Sequence, residues 1–283
     1  MTIYLPRDLD EALDLRASHP EATPIAGGTD LAVHWPQRVL EDGLAWLDLS
    51  GVEGLRTVEW TDRELILGAG TTYWDVIRDP TIGAEFPLLV RAARQVGAVQ
   101  IQARGTWGGN IVNASPAADG VPVLMAYDAM LKLRSREGSA LVPLSKFYLG
   151  YKQMRLAPDQ LVTGIHVPRR TYDFEWFEKV GSRSAQAITK VGAAVTHGGA
   201  GWRVVANSVA PTVCRCPALE SLLAEERPVS GPADLAPALA EDVSPIDDIR
   251  STAGYRSEVL ARLLYWGLRD ACPSFTGNGG AHA

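Results

Sequence analysis

The sequence predicts an α+β protein, and three observations carry that reading. Up to a boundary expected at residues 168–173, short apolar runs with strand character alternate with segments of helical period. The last third opens as a meander of three strand-like runs and closes with helices. Glycine and proline supply 27 and 18 of the 283 residues, which calls for many turns and for several places where main chain must come close to something.

In chain order, Leu9, Ala12, Leu13 and Ala17 recur at helical spacing within residues 7–18, and Thr23 to Ala26 reads as a short buried strand running into a Gly27-Gly28 turn. AWLDL (45–49), LRTVEW (55–60) and ELILGAG (64–70) read as successive strands, whereas TTYWDVIRD and EFPLLVRAARQVG carry the helical period. From Arg104 to Asp119 the run RGTWGGNIVNASPAAD is too rich in Gly, Asn, Ser and Pro for either period, and an ordered loop is expected. GVPVLMAYDA is expected to be a helix, AMLKLRS and SALVP a two-strand unit, and PDQLVTGIHVP a strand ending at Pro168. Beyond the boundary, YDFEWFEKV, ITKVGAAVTH and WRVVANSVAP read as three strands with a GGAG turn among their connections. CPALESLLAEE, ADLAPALAEDV and TAGYRSEVLARLLYWGLRDA supply the helices, and the polar tail TGNGGAHA is expected to fray.

Charge and missing motifs prune the function classes. With 27 Lys and Arg against 33 Asp and Glu, the net charge of −6 argues against a nucleic-acid binder held by bulk charge. Three cysteines, Cys214, Cys216 and Cys272, form no disulfide framework and fit a reducing compartment, so a cytoplasmic location is expected. The opening MTIYLPRDLDEALDLRASHPE lacks the basic region and apolar core of a secretory signal, and every apolar run is interrupted before the ~20 residues of a membrane span. The chain has no HExxH zinc helix, no GxSxG elbow and no GxxxxGK phosphate loop, and GAGTTY (68–73) lacks the third glycine of a dinucleotide fingerprint. Cys214 and Cys216 are too few for a metal site or iron–sulfur cluster, and no pair among His19, His34, His166, His197 and His282 has metal-ligand spacing. Neither a metal site nor a catalytic acid or base is expected.

Two glycine-rich segments remain. AGGTDL (Ala26 to Leu31) follows an apolar strand, so its amides could form a concave anion site whose natural guest is phosphate. GTWGGNIVNASPAAD (Gly105 to Asp119) brings Thr106, Asn110, Asn113 and Ser115 as donors and acceptors, Gly108-Gly109 for close approach, and Asp119 as an acceptor for ribose hydroxyls. Each alone also reads as a tight turn; together they read as two walls for a diphosphate-containing cofactor.

TPIAGGTDL, GTWGGNIVNASPAADGVPVLMAYDA, APDQLVTGIHVP, FEKVGSRSAQAITKVGAAV and NSVAPTVCRCPALE occur in this order, with YRSEVLARLLYWGL closing the series. In these motifs the chain resembles the FAD-binding (medium) subunits of molybdenum hydroxylases, which include bacterial carbon monoxide dehydrogenase, xanthine dehydrogenase and N-heterocycle dehydrogenases. The likeness covers nearly the whole chain. It implies a vanillyl-alcohol-oxidase/PCMH-type FAD-binding fold with subdomains at 1–55 and 56–170. A C-terminal domain of a three-stranded antiparallel sheet and helices would follow at 171–275, then a flexible tail at 276–283, with FAD lying between the domains.

The same resemblance implies that Pro24, Ile25, Ala26, Gly27, Gly28, Thr29, Asp30 and Leu31 wrap the diphosphate with main-chain amides. Gly105, Thr106, Gly109, Asn110, Val112 and Asn113 would line the second wall, and Ala118 and Asp119 would meet the adenosine or ribityl portion. Ile101, Leu161 and Lys179 fall where family members touch the cofactor, and Ile188 falls where a side chain flanks the isoalloxazine ring. Plainer readings stand beside these: Lys179 could pair with Glu175 or Glu178 at the surface, and strand burial could account for Ile188. Asp30 is expected to accept backbone N–H groups and hold its loop, and Trp107, where the family has a small branched residue, to fill core.

The implied function is electron transfer. A large molybdopterin-binding subunit would hydroxylate the substrate, a small iron–sulfur subunit would relay electrons through [2Fe–2S] clusters, and FAD on this chain would pass them to NAD, dioxygen or a quinone, in a dimer of heterotrimers. A stand-alone FAD-dependent oxidoreductase of the same superfamily and a non-catalytic anion-binding module are the alternatives.

Overall fold

The structure, a computed structural model, describes residues 1–33 and 43–276. His34, His282 and the tail after Thr276 lie outside the described residues. The chain opens with β1 (Thr2–Tyr4) and α1 (Leu9–Ser18), whose start is set by Asp8, its carboxylate accepting from the Glu11 amide. β2 (Thr23–Ile25) and β3 (Ala45–Asp48) complete a parallel three-stranded sheet of order β1-β3-β2, in which the central strand buries Trp46 and Leu47. β4 (Val58–Trp60) and β5 (Glu64–Gly68) follow as a hairpin, with the Thr61 hydroxyl accepting from the Arg63 and Glu64 amides in its turn.

Three short helices come next: α2 (Tyr73–Arg78), α3 (Pro80–Glu85) and α4 (Pro87–Gln95). Thr72 and Asp75 form a capping box on α2, Asp79 caps α3, and the prolines open α3 and α4, where a missing N–H costs no helical bond. The sequence pattern did not foresee α3, whose only core residue is Ile82. α5 (Val99–Gln102) is a single turn.

The segment Arg104 to Asp119 is not the irregular loop expected, because α6 (Trp107–Val112) occupies its middle. Two glycines weaken this helix, but its first-turn donors are met from outside the helix proper. Trp107 N–H donates to the Thr71 carbonyl, Gly108 N–H to the Ala69 carbonyl, and Gly109 N–H to the capping Thr106 hydroxyl. α7 (Gly120–Ala126) is buried from end to end.

β6 (Met130–Arg134), β7 (Ser139–Pro143), the small hairpin β8 (Tyr148–Gly150) and β9 (Gln153–Met154), and β10 (Leu161–Pro168) follow. An antiparallel five-stranded sheet results, of order β4-β5-β10-β6-β7. Its central strand is buried along nearly its whole length, as the LVTGIHVP run implies.

β11 (Tyr172–Val180), β12 (Val191–Gly198), β13 (Arg203–Asn207) and β14 (Cys214–Arg215) form an antiparallel sheet in chain order. The three strands expected here have gained a short fourth, because Cys214 and Arg215 turn back to pair with Ala206 and Val205. α8 (Pro217–Ala224), α9 (Ala236–Asp242) and α10 (Ala253–Leu268) pack on one face, where Val191, Val195 and Val204 meet Leu219, Leu239, Leu260 and Leu264. α7 packs against β12 and β13, and the buried Thr196 hydroxyl donates to the Ala126 carbonyl at 2.8 Å. That packing puts α7 in a compact unit apart from its sequence neighbours. The first unit is Met1–Ser115 with Asp128–Arg169, and the second is Pro116–Tyr127 with Arg170–Ala283. Among the described residues no helix is long and apolar enough to cross a membrane.

Candidate cofactor site

In the first unit, β2 ends at Ile25 and the chain turns through Gly27 and Gly28 into a turn of 3₁₀ helix at Leu31–Val33. The two glycines answer different demands. A Cβ on Gly27 would lie 1.8 Å from the Arg104 carbonyl oxygen, so only glycine lets these two segments touch, whereas Gly28 adopts φ +69°. The touching segment is the start of the second glycine-rich run. Arg104 Nε donates to the Gly27 carbonyl at 3.3 Å, and a Cβ on Gly105 would lie 3.3 Å from Thr29 Oγ1 and 3.1 Å from the Tyr73 ring. The two bends that the sequence separates by some eighty positions are therefore neighbours.

The first bend is half-buried from Pro24 to Thr29. Among the described residues, the main-chain N–H groups of Gly27, Gly28, Thr29 and Asp30 donate to no protein acceptor. Successive amides around a left-handed residue form a concave nest for an anion, and half-buried donors of this kind call for a partner. Asp30 does not play the loop-holding role expected of it: it is exposed, and among the described residues its carboxylate accepts no hydrogen bond. The bend closes instead through main chain, Ala32 N–H to the Gly28 carbonyl at 2.8 Å and Val33 N–H to the Asp30 carbonyl at 3.2 Å.

On the second wall, Gly109 is exposed and Asn110 Oδ1 is buried with no hydrogen-bond partner among the described residues, a polar atom left for a guest. Gly108 faces the protein: a Cβ there would fall 2.5 Å from the Ala69 carbonyl oxygen, so the approach it permits is between two parts of the chain. Trp107 is fully buried with its ring 5.1 Å from that of Tyr73, and it fills core. Val112 and Asn113 are half-buried, and Ile101 on α5 is exposed. The Leu161 side chain packs among Ala12, Leu13, Val52 and Leu55, so it belongs to the core.

Two residues that the sequence reading missed hold the end of α6. Tyr148 Oη, on β8, donates to the Ile111 carbonyl at 2.9 Å, and burial pushes its phenol well up. Lys152 Nζ donates to the Asn113 main-chain oxygen and to its Oδ1 at 2.8 Å. A lysine at a hairpin position that favours glycine was the only signal available.

In the second unit, Ala118, Asp119, Lys179 and Ile188 were expected to meet the cofactor. Lys179 is no surface lysine. Its side chain is 7% exposed, and its ammonium meets Asp119 Oδ2 at 2.6 Å and the Ala187 carbonyl at 3.1 Å. Thr189, not foreseen, donates its hydroxyl to Asp119 Oδ1 at 2.5 Å. Burial pushes the Asp119 carboxyl up, opposed by the Lys179 ammonium and the Thr189 hydroxyl. Glu175 instead accepts from the buried Tyr127 hydroxyl at 2.5 Å, and burial raises its carboxyl. The Ala118 carbonyl accepts from Asn207 Nδ2 at 2.8 Å. Ile188 precedes β12 and is 64% exposed, so strand burial does not account for it.

Remaining candidates have structural partners. His166 Nδ1 lies 2.8 Å from Glu64 Oε2, and His19 Nδ1 lies 3.1 Å from the Tyr4 hydroxyl. Among the described residues, no group of three or more His, Cys, Asp or Glu is placed to hold a metal ion. The donor set of the first unit fits a diphosphate, which asks for convergent N–H groups without a Cβ in the way.

Known proteins share the fold and the family of this chain. Residues 1–170 match the family described as FAD binding domain in molybdopterin dehydrogenase, and residues 176–271 match the CO dehydrogenase flavoprotein C-terminal domain. The caffeine dehydrogenase subunit beta of Pseudomonas sp. (strain CBB1) is 30% identical over 266 residues, covering 90% of this chain and 89% of the relative. The carbon monoxide dehydrogenase medium chain of Hydrogenophaga pseudoflava is 27% identical over 282 residues, covering 95% and 96%. A solved carbon monoxide dehydrogenase structure from the same organism superimposes with a TM-score of 0.86 at 24% identity, covering 98% of each chain. With the first family match alone spanning more than half of the sequence, this chain belongs to the FAD-binding subunits of the molybdopterin dehydrogenase (molybdenum hydroxylase) family.

Proposed function

We propose that this chain is the electron-transfer subunit of a heterotrimeric molybdenum hydroxylase, gripping FAD by the two glycine-rich bends of its first unit. The observation that carries the reading is the touching of those bends, with amides at Gly27, Gly28 and Thr29 on one side and Asn110 Oδ1 on the other that have no partner among the described residues. In this reading the amides of Pro24 to Leu31, proline apart, receive the diphosphate. Thr106, Gly109, Asn110, Val112 and Asn113 form the opposite wall. Main-chain donors suit this task because they are fixed by the fold and need no side-chain ordering on binding. FAD supplies the capacity to collect single electrons and release them in pairs.

The partners in this reading are a small subunit with [2Fe–2S] clusters that delivers electrons and a large molybdopterin-binding subunit that binds and hydroxylates the substrate. The acceptor is NAD, dioxygen or a quinone, and the assembly is a dimer of heterotrimers in the cytoplasm. The name of the carbon monoxide dehydrogenase relative, a medium chain, supports a multi-subunit setting. No acid or base side chain of this chain is required, since its residues bind and orient the cofactor.

The test is a titration of the purified chain with FAD, followed by exposure of the complex to N-heterocycles, purines, aldehydes and carbon monoxide. Tight binding and no flavin bleaching until partner chains are added is the expected result. Bleaching by an organic substrate with this chain alone would establish the stand-alone oxidoreductase instead.

A further inference from the structure

Between β8 and β9 the chain reverses through Tyr151 and Lys152, with Gly150 paired to Gln153. Lys152 has φ +57°. Tight hairpins place glycine or asparagine in this left-handed conformation, because a Cβ is disfavoured there. Burial does not explain a lysine at this point, for Lys152 is exposed. Its reach does. The ammonium crosses to Asn113, 39 positions away, and donates to both the main-chain oxygen and Oδ1 of that residue.

Asn113 is the C-terminal cap of α6, so its carbonyl is among those the helix cannot satisfy internally. The second bond orients the side chain. An ammonium has donors only, so the oxygen of the Asn113 amide must face Lys152, and the amide's NH₂ edge is left to donate elsewhere. Tyr148, from the same hairpin, holds the helix two residues earlier in the same way, by donating to the Ile111 carbonyl.

We propose that Lys152 is a positioning residue for the flavin nucleotide: it locks the Asn113 amide with its N–H donors turned toward an acceptor group of FAD. The inference rests on the reading in which Asn113 lines the FAD site. The informative substitution is Lys152→Gly, which removes the ammonium and at the same time suits the left-handed turn. The full-length chain is used, with the FAD dissociation constant measured by flavin fluorescence and the melting temperature measured without FAD. Lys152→Gly should melt no lower than the wild type and bind FAD about tenfold more weakly, the scale of one charge-assisted hydrogen bond. Lys152→Arg should recover most of the affinity and Lys152→Met should not.

Unchanged FAD affinity in Lys152→Gly overturns the inference, as does an affinity loss accompanied by a lower FAD-free melting temperature, which marks a merely structural residue. Failure of the wild-type chain to bind FAD overturns the cofactor reading and the inference with it, so the two failures are distinct.

Discussion

The two units solve the problem of placing polar groups in opposite ways. In the first, the groups offered are peptide amides around Gly27 and Gly28, made available by the absence of side chains. In the second, Asp119, Lys179 and Thr189 are buried side chains that satisfy one another. An amide nest costs little to maintain and much to distort, because its geometry is the backbone's own. A buried ion pair is tuned by its partners, and removing one leaves the other charged in a poor solvent. Substitutions in the first region should therefore read out chiefly in cofactor affinity, and those in the second chiefly in stability.

The largest expected effect tests the second half of that contrast. Asp119→Ala removes the carboxylate that faces the buried Lys179 ammonium and should cost about 3–5 kcal/mol in urea unfolding, most of it recovered when Lys179→Met is added. A single-variant loss below about 1 kcal/mol would show that water reaches the pair. Gly27→Ala comes next. Its methyl group overlaps the Arg104 carbonyl, so the bends must part, and a stability loss near the top of the ~1–3 kcal/mol range should accompany failure to bind FAD. Wild-type FAD affinity in this variant would dissolve the link between the two bends.

Thr189→Val keeps shape and removes one donor to a buried carboxylate, for an expected loss of about 1.5–3 kcal/mol by thermal unfolding. Gly28→Ala sharpens the first half of the contrast. Its Cβ meets only the Ile25 side chain, at 3.4 Å, so the cost is the left-handed backbone, about 1–2 kcal/mol, with FAD affinity falling further than stability does. Equal falls in the two quantities would remove the distinction. The smallest effect concerns the thiols of the second unit. A hydrogen bond with Cys216 lowers the half-buried Cys214 thiol, while burial pushes Cys272 up to about 11. Iodoacetamide at neutral pH should label Cys214 first by peptide mass spectrometry, and labelling of Cys272 ahead of it would show the second core to be loosely closed.

Much of this was legible in the sequence. Thr23 to Ile25 forms the strand expected, and Gly27-Gly28 turns the chain where the glycine pair said it must. The longer amphipathic helices and the alternating strands followed their periods, since burial of one face is a local pattern. What escaped has a common cause. α6 exists because Thr71 and Ala69 accept its first amides, and no local pattern records those partners. Gly108 resembled a ligand-facing glycine and proved to be the seat of Ala69. Glu175 and Glu178 are the carboxylates nearest Lys179 in sequence, whereas the carboxylate that meets its ammonium is Asp119, 60 positions away.

By itself, the sequence determined the α+β class, the order of the longer strands and helices, and the family, because these rest on periodicity, turn chemistry and motif order along the chain. Only the tertiary structure decided which side of each glycine faces protein, which carboxylate neutralises Lys179, and that Lys152 holds Asn113. Those are relations between residues far apart in the chain, and they are settled when packing brings donors within reach of acceptors that water would otherwise have served.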